Sequence, residues 1–165
     1  MVKIDAIDAR ILEELQKDAK QTNVELAQRV GLSPSPCLAR VRALEESGLI
    51  SRYVALLDPE SMGGLMSVFI QVRLERQAER ELAIFESAMQ SLPEVMECYL
   101  MTGDADYMLR VIVPDLAELQ KFIVERLSRI DGLANIKSSF ALKQVKYNTA
   151  YPMRDVARWL EKTGR

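Results

Sequence analysis

Two short stretches hold the residues whose types and spacing could do chemistry. The first, Met101-Thr102-Gly103-Asp104-Ala105-Asp106-Tyr107, sets two carboxylates two residues apart on a glycine-containing turn. Like charges this close repel unless a cation or an ammonium joins them. A free α-amino acid suits such a place, its ammonium near Asp104 or Asp106 and its carboxylate on backbone N–H groups of an adjoining turn or strand. The plain alternative is an ordinary hairpin turn, where glycine is common. The second stretch is Ser33-Pro34-Ser35-Pro36, followed by Ala39, Arg40 and Arg42, with no acid between Ser33 and Leu44. Small residues let a helix approach a major groove, and arginine can bond guanine bidentately or hold a phosphate. Here the plain alternative is a helical core with two solvated arginines.

Absences narrow the function further. The chain has no histidine, which removes histidine-based triads, histidine general bases and histidine-containing metal sites. Neither a paired nucleophile and base nor a phosphate loop is visible, so the chain is not expected to be an enzyme, and no cofactor is expected. Cys37 and Cys98 form no CxxC pair, so a zinc ribbon and a disulfide scaffold are excluded and a reducing compartment is implied. No apolar run approaches a membrane span and no signal peptide is visible, so the expected location is the cytoplasm, away from membranes. The 165 residues carry 22 basic and 24 acidic side chains, so any nucleic-acid surface must be a local patch.

The N-terminal third reads as three short helices. Ile4, Ile7, Ile11, Leu12 and Leu15 recur at helical spacing. Thr22-Asn23-Val24-Glu25 has the form of a capping box, in which hydroxyl and carboxylate satisfy each other's backbone N–H. Leu26, Ala27 and Val30 then face inward, and Gly31 stops the helix. Ser33 as cap with Pro34 at the first helical position starts a third helix, Ser35 being an alternative cap, and this helix runs to about Glu46. Cys37, Val41 and Leu44 should face inward, leaving Ser35, Pro36, Ala39, Arg40, Arg42 and Ala43 outward. A helix, a tight turn and a second helix make a helix-turn-helix.

Ile50 to Leu57 reads as a linker strand, and Asp58-Pro59 and Gly63-Gly64 punctuate the chain after it. The period then changes. Strands are expected over 65–74, 95–101, 107–113 and 136–145. Helices are expected over 79–91, with Leu82, Phe85 and Met89 inward, and from Leu116 to Ile130. The order β-α-β-β-α-β is a ferredoxin-like split unit, with helices on one face of a four-stranded antiparallel sheet. Its other face carries apolar residues and calls for a second subunit. The fold class is therefore α+β. Residues 1–49 form the helix-turn-helix domain, 50–64 a β-strand linker, 65–153 the second domain and 154–165 a tail. In the tail, Val156, Trp159 and Leu160 suggest a short helix.

Asn23-Val24-Glu25-Leu26, the run Val30 to Val41, Leu44-Glu45 and Gly48-Leu49-Ile50 resemble the DNA-binding domain of the Lrp/AsnC (feast/famine) transcription regulators. Thr102 to Tyr107 and Ser138-Ser139-Phe140 resemble the effector-binding signatures of the same family's C-terminal domain. The resemblance spans residues 4 to about 153. It implies double-stranded DNA and a free amino acid as partners. It also implies a homo-oligomer built from dimers, usually a tetramer or octamer, whose effector sits between dimers. On this reading Ser33, Ser35, Pro36, Ala39, Arg40 and Arg42 face the major groove, and Thr22 and Asn23 present N–H and hydroxyl groups to a phosphate. Met101, Thr102, Gly103, Asp104, Asp106 and Tyr107 surround the effector, and Ser138 and Ser139 bring hydroxyls from a neighbouring subunit. The rival reading is a small-molecule or RNA-binding ferredoxin-like module. The strands VMECYLM and YMLRVIV lack the stacking aromatics that RNA recognition needs.

Overall fold

The computed structural model describes residues 4–156. They form two compact units. One contains the chain up to Leu56 and again from Lys146, and the other runs from Leu57 to Val145.

In the first unit, α1 (Ala6–Lys17) begins at Asp5, whose side chain accepts the Ile7 and Asp8 N–H groups while Asp8 caps back. The second helix, α2 (Asn23–Val30), has the expected Thr22–Glu25 capping box and ends on Gly31, at φ 76°. That left-handed turn favours glycine and aims the chain into α3 (Pro34–Glu46). Ser33 occupies the cap position of α3, but its side chain makes no capping hydrogen bond. Little is left to cap, because Pro34 and Pro36 have no N–H and the Cys37 N–H already reaches Ser33 O. Ile11, Leu12, Leu26, Ala27, Val30, Cys37 and Leu44 make the core, and Val41 packs at its edge.

Two expectations about this unit are corrected. Residues 50–57 form no strand, since a strand needs a ladder partner and the described chain offers none, and Val54, Leu56 and Leu57 lie exposed. The second domain also does not extend to residue 153, because the chain from Lys146 rejoins the first unit. Met153 is buried in its core. Gln16 brackets Tyr151, accepting its N–H at 2.6 Å and donating to its carbonyl at 3.1 Å, and Arg154 pairs with Glu13 at 3.1 Å. Residues 153–156 are helical; Trp159 and Leu160, on which the expected tail helix also rests, lie outside the described residues.

The second unit is β1 (Met66–Leu74), α4 (Glu79–Ser91), β2 (Val95–Leu100), β3 (Tyr107–Val113), α5 (Leu116–Lys121) and β4 (Leu133–Phe140). The sheet order is β2-β3-β1-β4 with every pair antiparallel, the ferredoxin-like arrangement. Strict alternation along β1 and β3 buries Val68, Ile70, Val72, Leu109, Val111 and Val113 under the helices, together with Phe85, Met89, Leu119, Phe122 and Leu127. Each such side chain contributes about 1.5–3 kcal/mol. Beyond α5 the helix widens into a π turn (Phe122–Arg126) and tightens into a 3-10 turn (Leu127–Arg129). Leu116, where the second of these helices was expected to begin, is 62% exposed, at the first position after the Asp115 cap. The last strand starts earlier and stops earlier than its apolar pattern suggests. Its ladder with β1 ends at Val68–Phe140, and one bond from Ala141 N to Ser67 O comes after it, so 142–145 have nothing to pair with.

Candidate DNA-reading and effector sites

On α3, Ser35, Pro36, Ala39, Arg42 and Ala43 are exposed, as expected. Leu38, outside the set that helical spacing sends outward, is also exposed (37%) and lies one turn before Arg42. Its i, i+4 spacing to Arg42 was the available signal. An exposed leucine there is an apolar surface of the kind that meets a thymine methyl. Arg40 does not project outward alone. Its Nη1 donates to Asp5 Oδ2 at 2.7 Å and to Asp8 Oδ1 at 2.8 Å, tying α3 to the start of α1. The backbone N–H of Asp8 first, then Arg40, hold the Asp5 carboxyl below its ordinary range.

Thr22 and Asn23 are already committed, against the expectation that they wait for a phosphate. The Thr22 hydroxyl donates to Glu25 Oε2 at 2.8 Å and its N–H donates to the same oxygen at 2.7 Å. These bonds lower the Glu25 pKa and keep its negative charge beside the Thr22 hydroxyl. Asn23 Nδ2 donates to Pro34 O at 2.8 Å, which sets the start of α3 against α2. Sequence periodicity could not show this, since the partner lies 11 residues away.

The acidic turn divides its two carboxylates. Asp106 is 5% exposed and faces inward. Its Oδ2 accepts the Leu74 N–H at 2.7 Å, and its Oδ1 accepts from Gln77 Nε2. The Asp106 N–H donates to Val72 O at 2.9 Å, and the Met101 N–H donates to Asp106 O at 2.8 Å. The ladder between β1 and β3 ends at Val72–Tyr107. Asp106 therefore supplies, by side chain, the acceptor that Leu74 would otherwise lack. Tyr107 also faces inward: its ring is 1% exposed and packs on Phe85 with centroids 4.5 Å apart, and its hydroxyl donates to Glu86 at 2.8 Å. Burial and that carboxylate push its pKa well up. Met101, Thr102, Gly103 and Asp104 remain exposed, with Gly103 at φ 122°.

Ser138 and Ser139 do not act as a pair. Ser138 lies opposite Ile70 and rims an apolar groove of about 350 Å³ between β4 and α5, lined by Leu116, Leu119, Ile123, Val124 and Phe140. Ser139 lies opposite Phe69 on the other face. That helix-free face also carries Met108, Ile112 and the ion pair Arg110–Glu97 at 2.6 Å, between directly opposed residues. Cys37 and Cys98 have their thiol pKa values raised by burial, Cys98 also by Glu86, and neither is set up as a reactive thiolate. Among the described residues no cluster of three or more metal-ligating side chains occurs, and no helix is long and apolar enough to cross a membrane.

A helix-turn-helix unit joined to a ferredoxin-like unit with an exposed acidic turn is the architecture of a ligand-responsive DNA-binding regulator. Comparison with known proteins agrees. Residues 4–51 match a winged helix-turn-helix DNA-binding family, although no wing strand comes after α3 among the described residues. Residues 67–151 match the Lrp/AsnC ligand binding domain. The Bkd operon transcriptional regulator of Pseudomonas aeruginosa is 50% identical over 93% of this chain and 100% of its own length. The leucine-responsive regulatory protein of Escherichia coli is 44% identical over 87% of each chain. Among solved structures, a transcriptional regulator from Neisseria meningitidis in complex with L-Met superposes with a TM-score of 0.88 at 38% identity, over 93% of this chain and 99% of that one. The chain belongs to the Lrp/AsnC family. It is a DNA-binding transcription regulator that responds to an amino acid, and not an enzyme.

Proposed function

We propose that α3 meets duplex DNA through Ser33, Ser35, Pro36, Leu38, Ala39 and Arg42, with Arg40 at the margin, and that the effector is an amino acid with an apolar side chain held at the Met101–Asp104 turn. The division of the two carboxylates carries this reading. Asp106 is satisfied inside, whereas Asp104 stands exposed on a turn entered through the exposed apolar residues Leu100 and Met101. An ammonium would pair with Asp104, and a side chain such as that of leucine or methionine would cover the two apolar neighbours. One relative is named leucine-responsive, and a solved one holds L-Met. Thr102 contributes a hydroxyl and Gly103 an approachable backbone; Ser139 can enter only from a neighbouring subunit.

The working form is a homo-oligomer, a dimer or a tetramer or octamer built from dimers, acting in the cytoplasm. Phe69, Met108 and Ile112 on the helix-free face are the surface a second copy would cover. A thermal-shift screen of all the proteinogenic amino acids tests the effector. At ~100 times its dissociation constant the right one adds about 2.7 kcal/mol of stability. Asp104→Asn should then lower its affinity about 10- to 150-fold, the equivalent of roughly 1.5–3 kcal/mol for a bond to a charged group. A screen in which no amino acid raises the melting temperature, or a variant that binds as tightly as the parent, refutes the assignment.

A further inference from the structure

The recognition helix has two arginines, and one of them is held by carboxylates of another helix. Asp5 and Asp8 each divide their oxygens. One oxygen caps α1: Asp5 Oδ1 accepts the Ile7 and Asp8 N–H groups at 2.8 Å, and Asp8 Oδ2 accepts the Asp5 N–H at 3.2 Å. The other oxygen binds Arg40 Nη1. Two negative charges thus surround one positive charge at the N-terminal half of α3. The cluster is partly open to solvent, the side chains of Asp5, Arg40 and Asp8 being 51%, 35% and 13% exposed. A DNA phosphate approaching this edge of α3 meets a net negative site whose guanidinium is already engaged.

We propose that Asp5 and Asp8 set the DNA affinity of this regulator, acting as built-in counter-anions that compete with backbone phosphate for Arg40. The proposal rests on the reading that α3 faces DNA. Any phosphate that engages Arg40 must take it from two carboxylates that already bind it. Such competition weakens every contact the arginine could make with phosphate, and phosphate contact dominates non-specific binding. Non-specific affinity is therefore held down, while contacts from Ser35, Leu38, Ala39 and Arg42 to base edges are untouched.

The test is fluorescence anisotropy of the full chain on a random-sequence 30-base-pair duplex across a salt series, for the parent, Asp8→Asn, Arg40→Gln and the double variant. Asp8→Asn should bind several-fold more tightly, and its log K should fall more steeply with log[salt], by about 0.9 per protomer engaged. Arg40→Gln in the Asp8→Asn background should abolish that gain. Asp5→Asn, which keeps a good helix cap, should reproduce the gain, and it serves in place of Asp8→Asn should the latter melt early. A gain that survives Arg40→Gln overturns the proposal, because simple loss of repulsion would then explain it, and so does the absence of any gain. Arg42→Ala in the parent checks the underlying reading separately: unchanged binding there means that α3 does not face DNA at all.

Discussion

Replacing Asp106 by alanine should destabilise the ligand-binding unit without touching the ligand. The carboxylate is 5% exposed and accepts two hydrogen bonds, one of them from the buried Leu74 N–H at 2.7 Å. Alanine leaves that N–H without a partner, which costs roughly 1–3 kcal/mol. For a unit of 60–100 residues each kcal/mol moves the melting temperature by about 4–8 °C. Asparagine should cost less. Its Oδ1 can still accept the Leu74 N–H, and Gln77 can present its amide oxygen instead of its nitrogen to the new NH₂ group. The expected order of melting temperatures is therefore parent, then Asp106→Asn, then Asp106→Ala, measured by differential scanning calorimetry without ligand. Isothermal titration with the amino acid selected by the screen, run well below the melting transition, should show near-parental affinity for Asp106→Asn. Parental melting of Asp106→Asn with effector binding lost would refute this and return Asp106 to the ligand.

The sheet and the DNA-binding core each offer a further test. The Arg110 guanidinium, with Tyr99 assisting, holds the Glu97 carboxyl below its ordinary value of 4.5, so this pair stabilises the sheet above that pH and loses its contribution as pH falls through the lowered value. Glu97→Gln should flatten the acid limb of a stability-versus-pH curve, and an unchanged acid limb would count against the pair. Met153→Ala should destabilise the DNA-binding unit by roughly 2–5 kcal/mol, since it empties a position 7% exposed in that core, and denaturant titration monitored in that unit reads it.

Much of the fold was legible because it is local. The Thr22–Glu25 box, the Gly31 stop, the Pro34 start and the alternation along β1 and β3 are each decided within a few residues, and the structure repeats them. The β-α-β-β-α-β order came from the change of period. What was not legible is set by long-range pairing. Arg40 reads as an outward arginine until Asp5 and Asp8, 35 and 32 residues earlier, are brought to it. Asp106 reads as the twin of Asp104 until the end of the β1–β3 ladder leaves Leu74, 32 residues away, in need of an acceptor. The return of residues 146–156 to the first unit depends on Gln16 and Glu13, 135 and 141 residues away from their partners in sequence. Periodicity tells which way a side chain points from its own element and says nothing of what arrives there.

These long-range pairings bear on how a chain of net charge −2 can act on a polyanion. Within residues 1–60 there are 8 basic and 10 acidic side chains, and half of the basic ones are engaged: Lys17 and Arg29 with Glu14, Arg40 with Asp5 and Asp8, and Arg10 with the Arg29 carbonyl. Arg42 on α3 has no ion pair among the described residues. One such arginine per copy supplies too few phosphate contacts for stable binding, since each neutralised phosphate contributes only one increment of counterion release. In the proposed homo-oligomer affinity comes from joining copies, where a second α3 engages at high effective concentration once the first is bound. Such a module depends on its assembly, and an effector that alters the assembly controls DNA binding without touching α3. The requirement is differential affinity: the amino acid must bind one arrangement of subunits more tightly than another. An exposed turn bearing Asp104, completed only by a neighbouring subunit, would meet that requirement, because its affinity would exist only in the arrangement that brings the neighbour.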